Sequence, residues 1–483
     1  MKTNRLLTIA NQASNSSCGM GILPMRHNPA RHGQDAHATA GFLPVSMTLI
    51  PPSPVTDQIT LDIRVGVRNG DPAPRAFEVS VFLDHEEPGS CLHRERIEVA
   101  GHQAAGLKFR WPTAGHGGSH TVLAVVACGD DVHRTSRPLR ILPSTIRSTE
   151  TIGGAWAGLY HWSDSEGLHW NTDLKTMSGD QWRELVRGMH EIGMDIINIQ
   201  ELFRNEEYAG KHHIEVEGYK GQAFYPSALY PGRMPIAAAD PLEAIFDEAD
   251  KLGMSVLPGI GMYAWFDYSP ASLAWHIRVA DEIWARYGHH PSFYGWKISE
   301  EGHGGLGFGI GSTGADLERE HRQLVEFFRC FGAHVRRLAP DKPVMVARST
   351  HGMRGAEDTY RELLKHLDIL CSFCFHRMPA DDMTGDEAAA MLQSLCDEAG
   401  AHLWMNMEVF LFEGGGDCGA PLIPRPIAGV REDMLRFPNF EKILCYQYPG
   451  LMTHPGASVK LGGPAAVGLY QDYAAYLEGK GQS

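Results

Sequence analysis

The sequence predicts an α/β fold in which a (β/α)8, or TIM, barrel follows a small all-β, Ig-like sandwich. From Ile59 to Leu142, short alternating runs such as AFEVSVFLD are broken by turn residues, which is typical of an all-β domain. After Pro143, strand-like runs alternate with amphipathic helices, which is the pattern of a parallel sheet wound by crossover helices. We therefore expect an N-terminal extension over 1–46, the sandwich over 47–146 and the barrel over 147–483.

Eight strand-like runs are enough to close a barrel. We predict them at 154–162, 195–201, 255–262, 293–301, 344–349, 369–375, 403–410 and 442–448. The helices between them have helical spacing of apolar residues, as in the first, where Trp182, Leu185, Val186 and Met189 form one stripe. Each such helix can cover one pair of strands.

The net charge and the lengths of the apolar runs limit the classes of partner. A formal net charge of −15 argues against a nucleic-acid partner, and no apolar run is long enough to span a bilayer. The patch from Leu6 to Ala10 is too short for a secretory signal. Residues 18–41 show no periodicity, so we expect 1–46 to be a disordered or mis-assigned extension, with Met47 as a candidate start. A cytoplasmic location is favoured over secretion, but the compartment and the oligomeric state stay open.

Two segments outside the barrel strands have candidate roles. The sandwich is either a carbohydrate-binding module or a structural domain packed on the barrel, and we favour the structural interpretation because it has no aromatic cluster. A long connection follows the second strand, from Arg204 to Asp240. We expect its aromatic residues to cover the barrel's C-terminal mouth. These aromatic residues are Tyr208, Tyr219, Phe224 and Tyr225.

Acidic residues at the ends of two barrel strands indicate the chemistry. The fourth strand ends in Glu300 and Glu301, and the seventh carries Glu408 after Asn406. A glutamate late in an apolar strand is costly to desolvate unless it is hydrogen-bonded or functional. Glycoside hydrolysis needs two carboxyl groups across a cleft, one to protonate the leaving oxygen and one to attack or to activate water. Glu300, Glu301 and Glu408 are therefore the candidate acids for this chemistry.

The other strand ends offer aromatic and polar side chains of the kind that bind sugars. The predicted substrate-binding residues are Glu300, Tyr160, Trp162, Gln200, Glu201, Tyr263, Trp265, Trp296, Arg348, His376, Arg377, Asn406, Gln447 and Tyr448. The expected partner is an oligosaccharide, polysaccharide or glycoside. No cofactor and no metal ion is predicted.

The chain resembles the large clan of retaining glycosidase barrels from about residue 151 to residue 475. In that clan the acid/base follows the fourth strand and the nucleophile the seventh, which implies Glu301 and Glu408 for these roles. The run GWKISEEG has Glu300 where the clan commonly has Asn, so the resemblance leaves the exact activity open. The segments DPLEAIFDEADKLGMSVLPGI, HHPSFYGWKISEE and WMNMEVF resemble bacterial barrels known only as domains of unknown function. The resemblance implies a retaining mechanism, with the two carboxyl groups about 5 to 5.5 Å apart.

Three alternatives remain on the sequence alone. Glu201, Glu301 and His376 could hold the metal ion of a sugar isomerase. A barrel whose acids only bind sugar would have no catalytic activity. The acids could also form ion pairs at the mouth, with Arg348 and Arg377 as available partners.

Overall fold

The computed structural model describes residues 44–205, 221–230, 232–260, 268–308, 312–416 and 418–481. Within these residues an all-β part precedes a part in which strands and helices alternate. The first part contains β1 (Val45–Ile50), β2 (Val55–Thr56), β3 (Thr60–Arg68), β4 (Arg75–Leu83), β5 (Cys91–Val99), β6 (Ala104–Pro112), β7 (Gly118–Cys128) and β8 (Asp131–Leu142).

These eight strands form two sheets that face each other. One sheet has the order β1-β3-β6 and the other the order β2-β8-β7-β4-β5, with antiparallel pairing except between β2 and β8. Alternate residues of β3, among them Ile63 and Val65, pack against residues of the opposite sheet such as Val79 and Val122. Strand β1 begins at Val45, two residues before the boundary at Met47 that the sequence predicts, and Met47 itself is buried in this core.

The second part contains the barrel. Its strands are β9 (Ile152–Ala157), β10 (Ile196–Ile199), β11 (Phe203–Asn205), β12 (Gly221–Ala223), β13 (Gly232–Arg233), β14 (Ser255–Leu257), β15 (Trp296–Gly302), β16 (Val344–Ser349), β17 (Ile369–Phe373), β18 (His402–Glu408), β19 (Phe410–Phe412), β20 (Leu422–Pro424) and β21 (Lys442–Tyr446). Its helices are α1 (Asn171–Thr176), α2 (Gly179–Glu191), α3 (Pro241–Leu252), α4 (Pro270–Tyr287), α5 (Gly314–Leu338), α6 (Glu357–Leu364), α7 (Gly385–Ala399), α8 (Ile427–Arg436) and α9 (Gly463–Gly481). Among the helices described, none is both long enough and apolar enough to cross a membrane.

Eight parallel strands form one sheet with the order β14-β10-β9-β21-β18-β17-β16-β15. Two further parallel bridges, Val256 to Phe293 and Gly259 to Lys297, join the first and last strands of that order. The sheet therefore curls into a nearly closed barrel, and all eight strands lie where the sequence predicts them. Because parallel strands share one direction, their carboxyl ends meet at one rim.

Alternation along each strand divides the barrel's side chains into two sets. In β18, Leu403, Met405 and Met407 pack outward against the helices, whereas Trp404 packs inside the barrel. The interior core also includes Ile50, from the end of β1, which is fully buried. The sandwich therefore packs against the barrel at the end opposite the carboxyl rim.

Candidate functional site

Glu408 is the last residue of β18 and lies at the carboxyl rim. The alternation that places Trp404 inside the barrel also directs Asn406 and Glu408 inward. Glu408 is only 4% exposed. A carboxylate this deeply buried is unfavourable unless other groups compensate its charge.

Arg377 supplies most of that compensation. Its Nε and Nη2 atoms donate to Oε1 of Glu408 at 2.8 and 2.5 Å. Burial lowers the pKa of Arg377, but the Glu408 carboxylate outweighs that effect and raises the pKa above its ordinary value. Oε2 of Glu408 accepts no hydrogen bond from the described residues, although His376 Nδ1 lies 3.3 Å away. One carboxylate oxygen is thus held firmly, and the other is not engaged by a hydrogen-bond donor there.

A second layer of charged groups surrounds this pair. Arg425 donates to the backbone carbonyl of Glu408 at 3.4 Å and to Asp433 of α8 at 2.5 Å. His376 Nδ1 also lies 3.7 Å from Asp433, and burial lowers the pKa of His376 below its ordinary value. Sequence reasoning missed Arg425 and Asp433. The sequence does contain a signal for Asp433, because an acidic residue is unusual on a buried helix face, and Asp433 shares such a face of α8 with Val430 and Met434.

Glu300 and Glu301 both belong to β15, but their side chains lie outside the described part of the structure. Strands β15 and β18 are separated by β16 and β17, so their ends lie well apart around the same rim. Two acids at the ends of these strands can therefore face each other across the mouth of the barrel. The separation of the two carboxyl groups remains a prediction, as do the roles of Tyr263 and Trp265, which lie in the undescribed range 261–267.

Polar side chains line the barrel below the rim. The side-chain amides of Asn198 and Gln447 and the Oδ1 of Asn406 are buried without a hydrogen-bond partner among the described residues. Gln200 accepts a hydrogen bond from the Tyr446 hydroxyl at 3.3 Å, and its amide oxygen lies beside Gly158 together with that of Gln447. Buried polar atoms without partners are rare in folded proteins, so these atoms can hydrogen-bond to water or to a polar ligand.

Lys297 is a third residue that the sequence analysis missed. Its ammonium group lies 3.9 Å from the ring centroid of Trp156 and donates to the backbone carbonyl of Gln200 at 2.9 Å. Burial lowers the pKa of Lys297 to about 7, while the nearby Glu201, which is also buried, acts in the opposite direction. A lysine inside the apolar run FYGWKIS was the available signal.

Two predicted substrate-binding residues face the helices, which corrects the sequence analysis. Trp296 is completely buried between Phe293 and Trp284 of α4, because Lys297 takes the inward position of β15. Tyr448 is buried against Tyr470 of α9. Neither side chain can reach a substrate at the mouth.

Two further predicted residues are buried and already bonded. Arg348 is fully buried and donates to the Tyr268 hydroxyl at 2.8 Å. The Tyr160 hydroxyl donates to Asp164 at 2.6 Å. Trp162, stacked on the His161 ring at 5.7 Å between centroids, is only partly buried. Of these aromatic residues, Trp162 is the better candidate for a surface that contacts a ligand.

The predicted covering loop is only partly described. Phe224 and Tyr225 are completely buried in the core between the barrel and its helices, and Tyr225 donates to Glu282 of α4 at 2.6 Å. They therefore do not cover the mouth, contrary to the sequence prediction. Tyr208 and Tyr219 lie outside the described residues.

A cavity of about 810 Å³ lies at the other end of the barrel, between it and the sandwich. Its lining includes Leu49, Pro54, Tyr294 and Tyr473, and it contains none of the predicted site residues. Barrel proteins place their reactive groups at the carboxyl ends of the strands, so this cavity is not the candidate catalytic site.

Fold and site together define the chain as a (β/α)8-barrel protein with a buried, arginine-bound glutamate at the end of its seventh barrel strand. Residues 152–459 match the family described as Domain of unknown function (DUF4434), and the chain belongs to that family. No curated protein matches the chain.

Several solved structures are similar at low identity. A protein assigned as an alpha-L-fucosidase from Bacteroides thetaiotaomicron is 17% identical, with a TM-score of 0.46 over 69% of this chain and 98% of the other. Bacteroides uniformis beta-glucuronidase 2 is 12% identical, with a TM-score of 0.40 over 85% of this chain and 46% of the other. A GH2 beta-galacturonidase from Eisenbergiella tayi is 12% identical, with a TM-score of 0.38 over 89% and 71%. The chain thus spans less than half of the length of the glucuronidase.

Proposed function

We propose that the protein is a glycoside hydrolase in which Glu408 and Glu301 form the catalytic pair. The observation that carries the proposal is the environment of Glu408, buried at the carboxyl rim with one oxygen held by Arg377 and the other without a hydrogen-bond donor among the described residues. A carboxylate presented in this way can attack an anomeric carbon or activate a water molecule.

The acid/base role falls to Glu301 in this proposal, because β15 ends at the same rim as β18. In the first step Glu301 would protonate the leaving oxygen while Glu408 attacks the anomeric carbon and forms a glycosyl ester. In the second step Glu301 would take a proton from water, which hydrolyses the ester and restores both carboxyl groups. The net configuration at the anomeric carbon is then retained.

The test is a panel of aryl glycosides and oligosaccharides offered to the wild-type protein and to Glu408→Gln. The amide keeps the shape of the side chain but cannot act as a nucleophile, so turnover should fall by about 10³-fold or more while sugar binding persists. Glu432→Gln is the matched control, since Glu432 is exposed on α8 one residue from Asp433. Proton NMR of the first product formed should show the substrate's anomeric configuration, and the inverted configuration would contradict the retaining mechanism.

The second candidate function is sugar binding without catalysis. The close pairing of Glu408 with Arg377 favours it, because a carboxylate held in an ion pair can shape a binding surface without taking part in a reaction. Saccharide binding that Glu408→Gln leaves unchanged, with no turnover of any substrate by the wild-type protein, would establish this alternative. No observation on the described residues favours the metal-dependent isomerase.

A further inference from the structure

A cluster of three metal-ligating side chains lies outside the barrel, away from the proposed catalytic site. Glu243 belongs to the first turn of α3, and His289 and His290 lie in the turn between α4 and β15. Each residue presents one ligand atom, and these three atoms lie within 4.8 Å of one another. The two histidines are neighbours in sequence, yet the turn brings their ring centroids to 4.1 Å.

His290 is held in the orientation that a metal ligand needs. It is 6% exposed, its ring stacks on Phe246, and its Nδ1 lies 2.7 Å from an Asp250 carboxylate oxygen. The other oxygen of Asp250 accepts from the backbone N–H of Ser292 at 2.8 Å, which fixes the carboxylate in turn. A carboxylate bonded to one ring nitrogen fixes the tautomer and directs the other nitrogen at a metal ion.

The second ring nitrogen of His290 gives evidence for a ligand that is independent of the clustering of the three side chains. Its Nε2 is buried and has no hydrogen-bond partner among the described residues, although an oxygen of Glu243 lies 3.5 Å away. Two ligands about 2.1 Å from a tetrahedral zinc ion lie about 3.4 Å apart. Nε2 and the Glu243 oxygen already have this spacing, and His289 is only partly buried, so its ring can adjust.

We propose that Glu243, His289 and His290 bind a divalent transition-metal ion, in the first instance Zn²⁺. Two imidazoles and one carboxylate suit zinc, whereas Ca²⁺ and Mg²⁺ take six or more oxygen ligands. Glu243 is half-exposed, which leaves a fourth position for water. The bound ion would fasten α3 to the turn that leads into β15, the strand that carries Glu301, and the proposal does not depend on the glycosidase assignment.

The competing interpretation is an ion pair without metal, in which protonated His290 bridges Asp250 and Glu243. The two interpretations differ in zinc affinity. The full chain is prepared without an affinity tag and is first treated with a chelator to remove bound metal. ZnCl2 is then titrated into it in the presence of a chromogenic zinc indicator, which competes with the protein for zinc. The same titration is made with Glu243→Gln, His289→Ala and His334→Ala. The last is the matched control, since His334 pairs with Asp281 at 2.7 Å on a different part of the helical layer.

We expect one zinc ion per chain in the wild-type protein and in His334→Ala, and affinity weakened about tenfold or more in Glu243→Gln and His289→Ala. Zinc should raise the melting temperature of the first two proteins and not of the other two, because an ion that binds only the folded state stabilises it. Circular dichroism without zinc verifies that each variant is folded. Equal zinc affinity in all four proteins, or no zinc binding by the wild-type protein, would overturn the proposal.

Discussion

At the scale of single residues, the buried position of Glu408 requires Arg377. The guanidinium group directs two donors at the same carboxylate oxygen, an arrangement that fixes the direction of the carboxyl group. Arg377 is itself about a third exposed, so solvent screens part of the interaction. Besides compensating the buried charge, Arg377 therefore positions the Glu408 carboxyl group.

Arg377→Met should lower kcat/KM by about a hundredfold, because Glu408 loses the contact that orients it toward the substrate. Arg377→Lys should lie between Arg377→Met and the wild-type protein, since lysine keeps the charge but not the two-donor geometry. Arg354→Met is the control, as Arg354 is exposed in the loop before α6. Steady-state kinetics on any substrate that the wild-type protein turns over gives the comparison. Full activity in Arg377→Met would show that Glu408 needs no such support.

What the sequence predicts about the site depends on the type of residue. Glu408 stands out because a charged residue is costly in an apolar strand. The sequence predicts the wrong face for Trp296, because strands buried on both sides are continuously hydrophobic and conceal which residues point inward. Arg425 contacts the backbone carbonyl of Glu408 from a loop, and Asp433 of α8 pairs with Arg425. No local sequence pattern connects either residue with β18.

At the scale of elements, Gly259 lies at the seam where the barrel closes. It forms one of the two bridges that bring β14 next to β15. A Cβ at this position would collide with the backbone carbonyls of Ile199 and Gln200 and with the hydroxyl of Ser299. The two carbonyl oxygens belong to the backbone at the end of β10, so they cannot rotate away as a side chain could.

Gly259→Ala should therefore lower the melting temperature by several degrees or prevent folding, since overpacking a rigid core costs about 1 to 3 kcal/mol or more. Gly468→Ala is the control. Its Cβ would meet no atom within 4 Å, and alanine is favoured in the interior of a helix such as α9 by about 1 kcal/mol. Thermal melting followed by circular dichroism measures both variants. A Gly259→Ala protein with the melting temperature of the wild type would mean that β14 and β10 can move apart at this position without a loss of stability.

The strands were predictable because each is a short apolar run bounded by turn residues, and eight such runs separated by amphipathic helices have few alternative arrangements. The connections were not. Phe224 and Tyr225 belong to a long loop, where aromatic residues indicate either a binding surface or a local core. The burial of both side chains and the contact of Tyr225 with Glu282 distinguish the two.

At the scale of the whole molecule, a buried layer of charges joins the sandwich to the barrel. Arg64 of β3 donates to Asp62 at 3.1 Å and to Asp368, before β17, at 2.6 Å. His402 of β18 lies between Glu441 at 2.5 Å and Asp62 at 3.7 Å. Period-2 alternation shows that Asp62 and Arg64 point away from the sandwich core, but the same pattern would fit exposure to solvent. The docking of the two parts was therefore not predictable from the sequence.

His402 makes this interface sensitive to pH. Burial lowers the pKa of His402, but Glu441 and Asp62 outweigh burial and raise it from 6.5 to about 9. A raised pKa contributes stability that is complete below the unfolded value and is lost as the pH rises through the folded value. Asp62 acts at the acidic end: burial raises its pKa, but His402, Lys108 and Arg64 lower it well below 3.8, so its contribution is lost as the pH falls below about 4.

Two buried lysines oppose His402 over the same range. Burial lowers the pKa of Lys297 and of Lys442 to about 7, so their unfavourable effect on stability diminishes as the pH rises above 7. The melting temperature of the wild-type protein alone therefore does not isolate His402. The informative quantity is the difference in melting temperature between the wild type and His402→Gln, because both proteins contain the two lysines.

We expect that difference to be large at pH 6 and to shrink as the pH rises to 9, where the wild-type imidazole loses its proton and with it a contribution on the order of a few kcal/mol. His133→Gln, exposed on β8, should melt like the wild type at every pH and serves as the control. Differential scanning calorimetry at half-unit steps of pH gives the curve. A difference that stays constant from pH 6 to pH 9 would show that His402 remains neutral between the two carboxylates, and that the sandwich is held to the barrel by Arg64 and the apolar contact of Ile50 instead.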